Sequence, residues 1–196
     1  MTPVLLIDNL DSFTFNLVES LERIGATVHV RRNSIAAADA LAEAEALGAI
    51  LMISPGPGTP QSFGCCLELI ALAKGRVPLI GICLGHQAIV AEAGGTVTRA
   101  PDPVHGKSML LAHDGAGPFA GLASPARVAR YHSLCTRDLP ERFTVHAAVE
   151  GMAMAFSDGA ALQAGLQFHP ESILTTHGDA MLVNLVEMFG TAPATG

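Results

Sequence analysis

The sequence predicts an α/β fold: a single domain over residues 1–196 with an open, mostly parallel sheet, flanking helices and antiparallel additions in the C-terminal half. Two observations support this prediction. Short apolar segments alternate with helical ones through the first half, as in a parallel sheet with helices on both faces. The second half instead carries short strand-like segments separated by turns. We expect the tail, residues 190–196, to be loose.

The chain begins with a strand and a helix. "PVLLID" (3–8) is a continuous apolar run, which is typical of a strand buried on both faces. The next segment, 12–25, repeats apolar residues at helical spacing, with Ser12 as the expected N-cap and Gly25 as the expected end. The rest of the first half continues this alternation. We predict strands at 27–32, 49–54 and 77–82, and helices at 36–47, 63–75 and 84–93.

The second half is predicted to add strands and one closing helix. The strand-like segments are 96–99, 108–113, 127–131, 143–149, 152–157 and 161–168. Because short turns link them, we expect antiparallel pairing in this half. The closing helix spans 179–189, where Met181, Leu185 and Phe189 repeat along one side.

Composition and charge argue against several classes of function. The net charge of −7 and the lack of a basic run disfavour nucleic acid and anionic lipid as partners. The N-terminus shows no signal-peptide pattern, and no apolar run approaches the roughly 20 residues that span a bilayer. The four cysteines are too few and too irregularly spaced for a disulfide framework. We therefore expect a reduced, cytoplasmic protein.

One cysteine lies between two glycines where the strand at 77–82 meets the next helix. Gly81, Cys83 and Gly85 have the spacing of a strand–elbow–helix turn, in which small residues allow close backbone approach. Such a turn presents a nucleophile at the carboxyl end of the sheet, where open α/β folds bind ligands. The helix N-terminus would favour a thiolate, and the Leu84 N–H could face a developing oxyanion. A buried cysteine in a tight connection is the alternative.

A candidate general base occurs in "LQFHPES" (166–172). His169 and Glu171 are two residues apart in a segment that we expect to be extended, because Pro170 disfavours helix. Residues at i and i+2 of a strand share a face, so the carboxylate could orient the imidazole. With Cys83, the pair has the residue types of a nucleophile–base–orienter triad for acyl transfer. Taken alone, most such His-x-Glu pairs are merely solvated.

The loop "SPGPGTP" (54–60) follows the strand at 49–54. Its glycines and prolines make a stiff turn with exposed N–H groups, and Gly56 could present an amide to an oxyanion. The loop has neither the Walker spacing nor the G-x-G-x-x-G spacing of phosphate-binding loops. A plain turn is the alternative for this loop by itself.

The eight histidines raise the question of a metal site. Six of them lie in the second half, but none has the helical spacing of H-E-x-x-H, and no cysteine pair completes a zinc set. Cys65, Cys66 and Cys135 are expected to be ordinary packed residues. We therefore expect no metal in this chain.

Five motifs together resemble those of the class I glutamine amidotransferases. They are "ISPGPGTP", "GICLGHQAI", "HGK", "YHSL" and "QFHPES", which follow the family's order along the chain. The opening "LLIDNLDSFTFNLV" is similar to that of the glutaminase subunits, or component II, of anthranilate synthase and aminodeoxychorismate synthase. The resemblance covers the chain from residue 4 to about residue 175.

The resemblance implies hydrolysis of glutamine through a γ-glutamyl thioester on Cys83. His169 would act as general base and then acid, Glu171 would orient it, and N–H groups at Leu84 and near Gly56 would hold the oxyanion. The residues expected to bind glutamine are Gly58, Gln87, Ser133 and Leu134. The family passes the released ammonia to a synthase partner, here a chorismate-binding large subunit. That partner would carry Mg²⁺, and this chain would need no cofactor.

Two other functions stay open at this point: a stand-alone γ-glutamyl hydrolase of the same fold, and a catalytically silent regulatory subunit. The intact Cys83, His169 and Glu171 argue against a silent subunit, and the N-terminal motif favours the synthase subunit over the hydrolase. The choice between the tryptophan and folate pathways is also open. One subunit could serve both.

Some residues depart from the family pattern or have no assigned role. Leu10 and Phe15 stand where the family often has tyrosines, so two hydroxyl groups are lost. We expect this difference to affect the fit to a partner and not catalysis. Asp11 and Ser12 are expected to cap the first helix and to shape a partner contact. The turn "HGK" (105–107) could support the glutamine pocket, meet the partner or be a simple turn.

Overall fold

Eleven strands and five α-helices form within residues 1–190, the part of the chain that the computed structural model describes. The strands are β1 (Pro3–Asp8), β2 (Thr27–Arg32), β3 (Ile50–Ile53), β4 (Leu79–Ile82), β5 (Val97–Arg99), β6 (Lys107–Leu111), β7 (Ala126–Arg130), β8 (Leu134–Thr136), β9 (Thr144–Val149), β10 (Met152–Asp158) and β11 (Gln163–Leu166). The helices are α1 (Thr14–Arg23), α2 (Ala37–Leu47), α3 (Cys66–Ala73), α4 (Leu84–Glu92) and α5 (Gly178–Phe189). The loose tail expected at 190–196 lies, from residue 191 onward, outside the described residues.

The central sheet has seven strands in the order β2-β1-β3-β4-β11-β10-β9. The five neighbouring strands β2-β1-β3-β4-β11 pair in parallel. At the edge beyond β11, β10 and β9 pair antiparallel. Two separate antiparallel pairs, β5 with β8 and β6 with β7, complete the second half. The predicted α/β architecture, mostly parallel with antiparallel additions, is therefore confirmed.

Each face of the central sheet carries its own apolar core. Successive residues of β1 point to opposite faces, so Val4 and Leu6 join one core while Leu5 and Ile7 join the other. The first core includes buried residues of α1 and α5, and the second includes residues of α2, α3 and α4. Burial on both faces explains why "PVLLID" is apolar without alternation.

The direction predicted for β11 is wrong. We expected the segment 161–168 to be an antiparallel addition, but β11 pairs in parallel with β4, with Leu166 beside Ile82. The reason lies in the hairpin before it. Because β10 runs against the sheet and β11 turns back from β10, β11 regains the direction of β4. This parallel register carries the residues after Leu166 to the elbow at Cys83.

The start of α1 also differs from the prediction, whereas its end agrees. Ser12 does not cap the helix, which begins at Thr14; instead, the Asp11 carboxylate accepts the N–H of Phe13 at 2.8 Å. Gly25, with φ +88°, lies just beyond Ile24, the residue after the last helical residue Arg23, and the N–H groups of Gly25 and Ala26 bond back to helix carbonyls.

Two short elements explain the remaining differences. The helix predicted at 63–75 begins only at Cys66, because a 3-10 turn at Pro60–Ser62 and Gly64, with φ +54°, precede it. The strand β8 has only three residues, too few for a periodic pattern, and it escaped prediction.

Within residues 1–190, no helix combines the length and the apolar character needed to cross a bilayer.

Candidate active site

Cys83 occupies a tight elbow between β4 and α4. Its backbone has φ +53° and ψ −98°, a conformation that costs a residue with a side chain roughly 1–3 kcal/mol. The flanking glycines provide room rather than positive φ. A Cβ on Gly81 would collide with the Gly85 carbonyl group, and a Cβ on Gly85 would lie 2.5 Å from the Ile53 oxygen. The elbow therefore forms only where β3, β4 and α4 pass each other with no side chain between them.

His169 and Glu171 form a buried hydrogen-bonded pair. The imidazole Nδ1–H donates to Glu171 Oε1 at 2.6 Å, and the two side chains are 3% and 0% exposed. The segment is not extended as predicted, because it turns at once: the Ser172 N–H bonds back to the His169 carbonyl at 3.3 Å. Pro170 occupies the second position of this turn, where its fixed φ is favoured. The predicted contact thus forms through a turn and not through the shared face of a strand.

Hydrogen bonds within this turn and to strand β7 hold residues 169–175, which we call the base turn. The Thr175 hydroxyl donates to the His169 carbonyl at 2.6 Å and accepts the Ala129 N–H at 3.0 Å. The His169 N–H donates to the Ala129 carbonyl at 3.1 Å. The rings of Phe13 and Tyr131 pack against the imidazole with centroids 5.1 and 5.0 Å away. The base turn is consequently anchored to β7 and covered by two aromatic rings.

The environment of His169 favours its protonated form. Burial alone would lower the pKa of His169, but the Cys83 side chain and then the Glu171 carboxylate outweigh burial and raise this pKa well above the usual histidine value. The buried Nε2 atom makes no hydrogen bond of good geometry within residues 1–190. The Cys83 side chain therefore raises the pKa of His169 without a well-formed hydrogen bond to Nε2.

A cavity of about 220 Å³ opens beside Cys83. This volume lies below the roughly 300–1,000 Å³ of drug-sized sites and suits a ligand of amino-acid size. The predicted oxyanion and glutamine-binding residues all line it together with the cysteine: Gly56, Gly58, Cys83, Leu84, Gln87, Ser133 and Leu134. The cavity wall does not include His169 or Glu171. The structure thus gathers the predicted binding residues at one face of the elbow, with the base and its carboxylate buried.

The loop "SPGPGTP" is pinned to the end of β1. Asn9 donates its N–H to the Ser54 hydroxyl at 2.9 Å and its side-chain amide to the Ser54 carbonyl at 3.0 Å. A Cβ on Gly56 would lie 2.7 Å from the Asn9 Cβ, so only glycine fits there. Gly58 has φ +94°, which also favours glycine. The loop and the first turn of α4, whose N–H groups lack intrahelical partners, border the same cavity.

A chain of hydrogen bonds fixes the segment "YHSL". Arg130 donates its Nε–H to His132 Nε2 at 3.0 Å, so His132 carries its proton on Nδ1 and donates it to the Leu134 carbonyl at 2.8 Å. Gln87 Nε2 donates to the same carbonyl at 3.0 Å. Burial, followed by the charge of Arg130, lowers the pKa of His132 to about 4. His132 is therefore neutral near pH 7 and keeps this single tautomer.

The sequence motifs did not single out every residue at this site. Tyr131, His132 and Pro57 also line the cavity, and each stands inside a quoted motif without an assigned role. Asp11 lines it as well, so the residue expected at a helix cap also borders the cavity. Gln167 is fully buried, and its Nε2 lies 3.7 Å from the Cys83 Sγ. Only its position within "QFHPES" could have indicated it.

Exposed apolar side chains occur on two segments that adjoin the site in sequence: the end of β1 with the first turn of α1, and the base turn. Phe15 is 82% exposed and Ile173 is 98% exposed, and Leu10 and Leu174 are also exposed. We call these four residues the outer rim. A second cavity of about 680 Å³ lies between α1 and the base turn and is lined in part by Ile173 and Glu171. Exposed large apolar residues of this kind are typical of an interaction surface.

The turn "HGK" supports the cavity wall indirectly. His105 packs edge-on against the ring of Tyr131, with centroids 5.4 Å apart. Gly106 has φ +70° and bonds to the Arg130 carbonyl as the chain enters β6, and Lys107 is exposed. The turn therefore braces Tyr131 and does not itself line the cavity.

The other cysteines are packed residues. Cys65, Cys66 and Cys135 are all buried and unpaired, and Cys66 donates its thiol to the Asn9 side-chain oxygen at 3.3 Å. Within residues 1–190, no group of three or more histidine, cysteine or acidic side chains is arranged to hold a metal ion.

Comparison with solved structures agrees with this architecture. A protein from Thermoplasma acidophilum, described as a candidate component of GMP synthase, superposes with a TM-score of 0.84 and 25% identity, over 97% of this chain and 95% of that one. A glutamine amidotransferase from Thermotoga maritima, at 16% identity, shares the fold with a TM-score of 0.73 over 97% of this chain and 99% of that one.

Sequence comparison defines the family. Anthranilate synthase component 2, pyocyanine specific, of Pseudomonas aeruginosa is 51% identical over 183 residues, which cover 92% of this chain and 91% of that protein. Anthranilate synthase component 2 of Buchnera aphidicola subsp. Acyrthosiphon pisum is 46% identical over 187 residues, or 95% and 94% of the two chains. The model of the glutamine amidotransferase class-I family matches residues 5–188. With its elbow cysteine, base turn and cavity in place, the chain belongs to the class I glutamine amidotransferases.

Proposed function

We propose that this chain is the glutaminase subunit of anthranilate synthase and that it hydrolyses glutamine through a thioester on Cys83. The observation that carries this proposal is the cavity beside the elbow. It brings Cys83 together with the predicted oxyanion and glutamine-binding residues in a space of amino-acid size. The buried His169–Glu171 pair supplies the base, and the Cys83 side chain raises the pKa of its imidazole.

The first half of the reaction forms the thioester. Cys83 Sγ attacks the side-chain carboxamide carbon of glutamine, and the carbonyl oxygen gains negative charge. N–H groups at Leu84 and near Gly56 stabilise this oxyanion. His169 Nε2 then gives its proton to the amide nitrogen, the C–N bond breaks and ammonia leaves. Glu171 keeps the proton of Nδ1 in place, so Nε2 is the atom that exchanges protons.

The second half of the reaction restores the enzyme. A water molecule gives a proton to His169 Nε2 and adds to the thioester carbon, again with the oxyanion held by the N–H groups. The C–S bond then breaks, which releases glutamate and returns the sulfur as a thiolate beside an imidazolium. The raised pKa of His169 supports this resting ion pair.

Neutral polar groups suit the recognition of glutamine. Gln87 has a buried Oε1 without a hydrogen-bond partner within residues 1–190, and this atom can accept from the substrate amide. Gly58, Ser133 and Leu134 offer backbone groups around the same cavity. A zwitterionic amino acid with a neutral side chain needs this mixture of donors and acceptors.

The proposed partner is a chorismate-binding synthase large subunit that receives the ammonia and carries Mg²⁺. The names of the relatives support this choice, since those at 46% and 51% identity are called anthranilate synthase component 2. The outer rim provides exposed apolar surface for such a partner next to the base turn. A catalytic thiol and unpaired cysteines suit a reducing compartment, and we place the reaction in the cytoplasm.

The test replaces the nucleophile and supplies ammonia by two routes. The purified chain is mixed with the host's anthranilate synthase large subunit, chorismate and Mg²⁺, and anthranilate is followed by fluorescence. With Cys83→Ser we expect glutamine-dependent synthesis to disappear and ammonia-dependent synthesis to remain. Cys65→Ser, a matched change at a buried cysteine outside the cavity, should retain both.

Each other result has a definite meaning. Persistence of glutamine-dependent synthesis in Cys83→Ser would remove Cys83 from the chemistry. If the native chain gives no anthranilate while the large subunit still uses ammonia, the partner proposal fails. Glutamine-dependent product with the large subunit of aminodeoxychorismate synthase would then assign the chain to that enzyme.

A further inference from the structure

Gln167 stands beside the nucleophile because of the register of the sheet. β11 and β4 are parallel with Leu166 beside Ile82, so the next residues, Gln167 and Cys83, leave the sheet side by side. The Cys83 N–H bonds to the Leu166 carbonyl at 2.7 Å and fixes this alignment. Gln167 is 0% exposed, and its Nε2 donates to the Cys83 Sγ at 3.7 Å.

The direction of the Gln167 amide is imposed by its neighbours. A backbone carbonyl can only accept, so the atom of Gln87 that meets the Leu134 oxygen must be Nε2. The same Nε2 lies 3.0 Å from the Gln167 side chain, which must therefore present Oε1 to it. The remaining Gln167 atom, the NH₂ group, consequently faces the sulfur. The Leu134 carbonyl thus fixes the orientation of both side-chain amides, so that Gln167 presents an N–H donor to the Cys83 sulfur.

We propose that Gln167 is a further catalytic residue, which donates an N–H to the sulfur of Cys83 and stabilises its thiolate. The proposal rests on the proposed function in which Cys83 is the nucleophile. A hydrogen bond to an ionised acceptor is roughly twice as strong as one between neutral groups. The Gln167 bond is therefore strongest in the resting thiolate, and it weakens when the sulfur becomes part of a thioester.

Gln167 and His169 act on the sulfur in different ways. The imidazole exchanges a proton with the reacting groups, whereas an amide keeps its protons throughout. Gln167 therefore holds the thiolate in one position during acylation and receives it again after deacylation, with no atom transferred. Its link to Gln87 also joins the sulfur to the cavity wall that would contact glutamine.

A second glutamine on the same strand provides a matched comparison. Gln163 is also 0% exposed, but it lies at the other end of β11, where its Oε1 accepts from Arg142 at 2.9 Å. Gln163 is not on the cavity wall. A Gln→Glu change at either position buries a carboxylate of nearly the same shape, and only the change at 167 replaces a donor that faces Cys83.

The experiment measures alkylation of Cys83 by iodoacetamide as a function of pH, with the modified peptide counted by mass spectrometry. Gln167→Glu keeps an oxygen for Gln87 and, when ionised, replaces the N–H donor with a negative charge beside the sulfur, so we expect the midpoint of the profile to move to higher pH than in the native chain. Turnover of glutamine by the complex should fall on the order of tenfold in kcat, with a smaller change in KM. Gln163→Glu should keep the native profile and kcat.

A second variant covers failure of the first to fold. Gln167→Leu lacks any charge and also lacks the donor, so it should move the profile in the same direction. Because leucine removes the donor without adding a charge or an O–H group, a native profile in a folded Gln167→Leu protein would overturn the proposal, as would an equal shift in Gln163→Glu. Alkylation requires no turnover, so a chain that fails to hydrolyse glutamine would refute the proposed function while this profile still reports on Gln167.

Discussion

The elbow at residues 81–85 and the base turn at residues 169–175 reach the same site by different physical means. The elbow is fixed by the absence of side chains: a Cβ on either of its glycines would strike backbone atoms. The base turn is fixed by hydrogen bonds, since Thr175 and Ala129 hold the backbone of His169 on both sides. Steric exclusion positions the proposed nucleophile, and polar bonding positions the proposed base.

This difference has consequences for how each region tolerates change. A steric constraint fails as soon as one carbon atom is added, because tightly packed backbone has no room to relax. A hydrogen-bonded turn loses its constraint in steps, one bond at a time, and each bond contributes a modest net free energy. Substitutions in the elbow should therefore cost more than substitutions in the base turn.

The largest effect is expected from Gly81→Ala. The new Cβ would meet the Gly85 carbonyl group and lie 2.6 Å from the His86 nitrogen, all of them backbone atoms that cannot swing away. We expect the free energy of unfolding to fall by about 3 kcal/mol or more, together with loss of glutamine turnover. Urea denaturation followed by circular dichroism measures the first quantity, and glutamate release measures the second.

Gly159→Ala is the matched control for this prediction. A Cβ at Gly159 would meet nothing within 4 Å, so the change should alter the free energy of unfolding by no more than about 0.5 kcal/mol. Equal stability of the two alanine variants would show that the elbow relaxes around an added carbon. The steric account of the elbow would then be wrong.

The same contrast explains what the sequence could predict. The elbow was predictable because its determinants, Gly81, Cys83 and Gly85, lie within five residues and leave a visible spacing. The alternation of strands and helices in the first half was predictable for the same reason, since each element is specified by its own periodicity. The family motifs then brought the cavity residues, such as Gln87 and Ser133, into one site.

The base turn shows why the rest could not be predicted. The residues that hold His169 there, Ala129 of β7 and Thr175 of the turn itself, carry no sequence pattern, and their contacts with His169 exist only after β7 and β11 have been placed. The direction of β11 depends on a hairpin reversal that periodicity does not record. The role of Gln167 depends in turn on that direction, so neither was visible from residue types alone.

A smaller effect is expected from Thr175→Val. Valine keeps the shape of threonine, but the Ala129 N–H and the His169 carbonyl lose their hydroxyl partner in a buried position. We expect the free energy of unfolding to fall by about 2 kcal/mol, with a decrease in kcat because the imidazole is held less firmly. Chemical denaturation and steady-state kinetics on the complex measure both.

The neighbouring Thr176 provides the control for Thr175. It is exposed, and its N–H bonds to the Arg127 carbonyl through the backbone, which Thr176→Val leaves intact. This variant should retain native stability and kcat. If Thr175→Val were as stable and active as Thr176→Val, packing of the aromatic rings alone would be sufficient to hold the base turn.

The smallest effect on stability, and the most direct test that the two regions are coupled, is expected from Cys83→Ala. In the native chain burial lowers the pKa of His169, whereas the Cys83 side chain and then Glu171 raise it. The raising influences together are larger than the effect of burial. Removal of the sulfur takes away the larger of the two raising influences and leaves burial unchanged, so the pKa of His169 should fall. The imidazolium should then persist to higher pH in the native protein than in the variant, which NMR titration of the His169 ring protons measures.

Cys135→Ala, at a buried cysteine outside the cavity, should leave the titration unchanged. An equal pKa in native and Cys83→Ala proteins would mean that the elbow and the base turn, although adjacent, do not share charge, and Glu171 alone would then account for the protonation of His169.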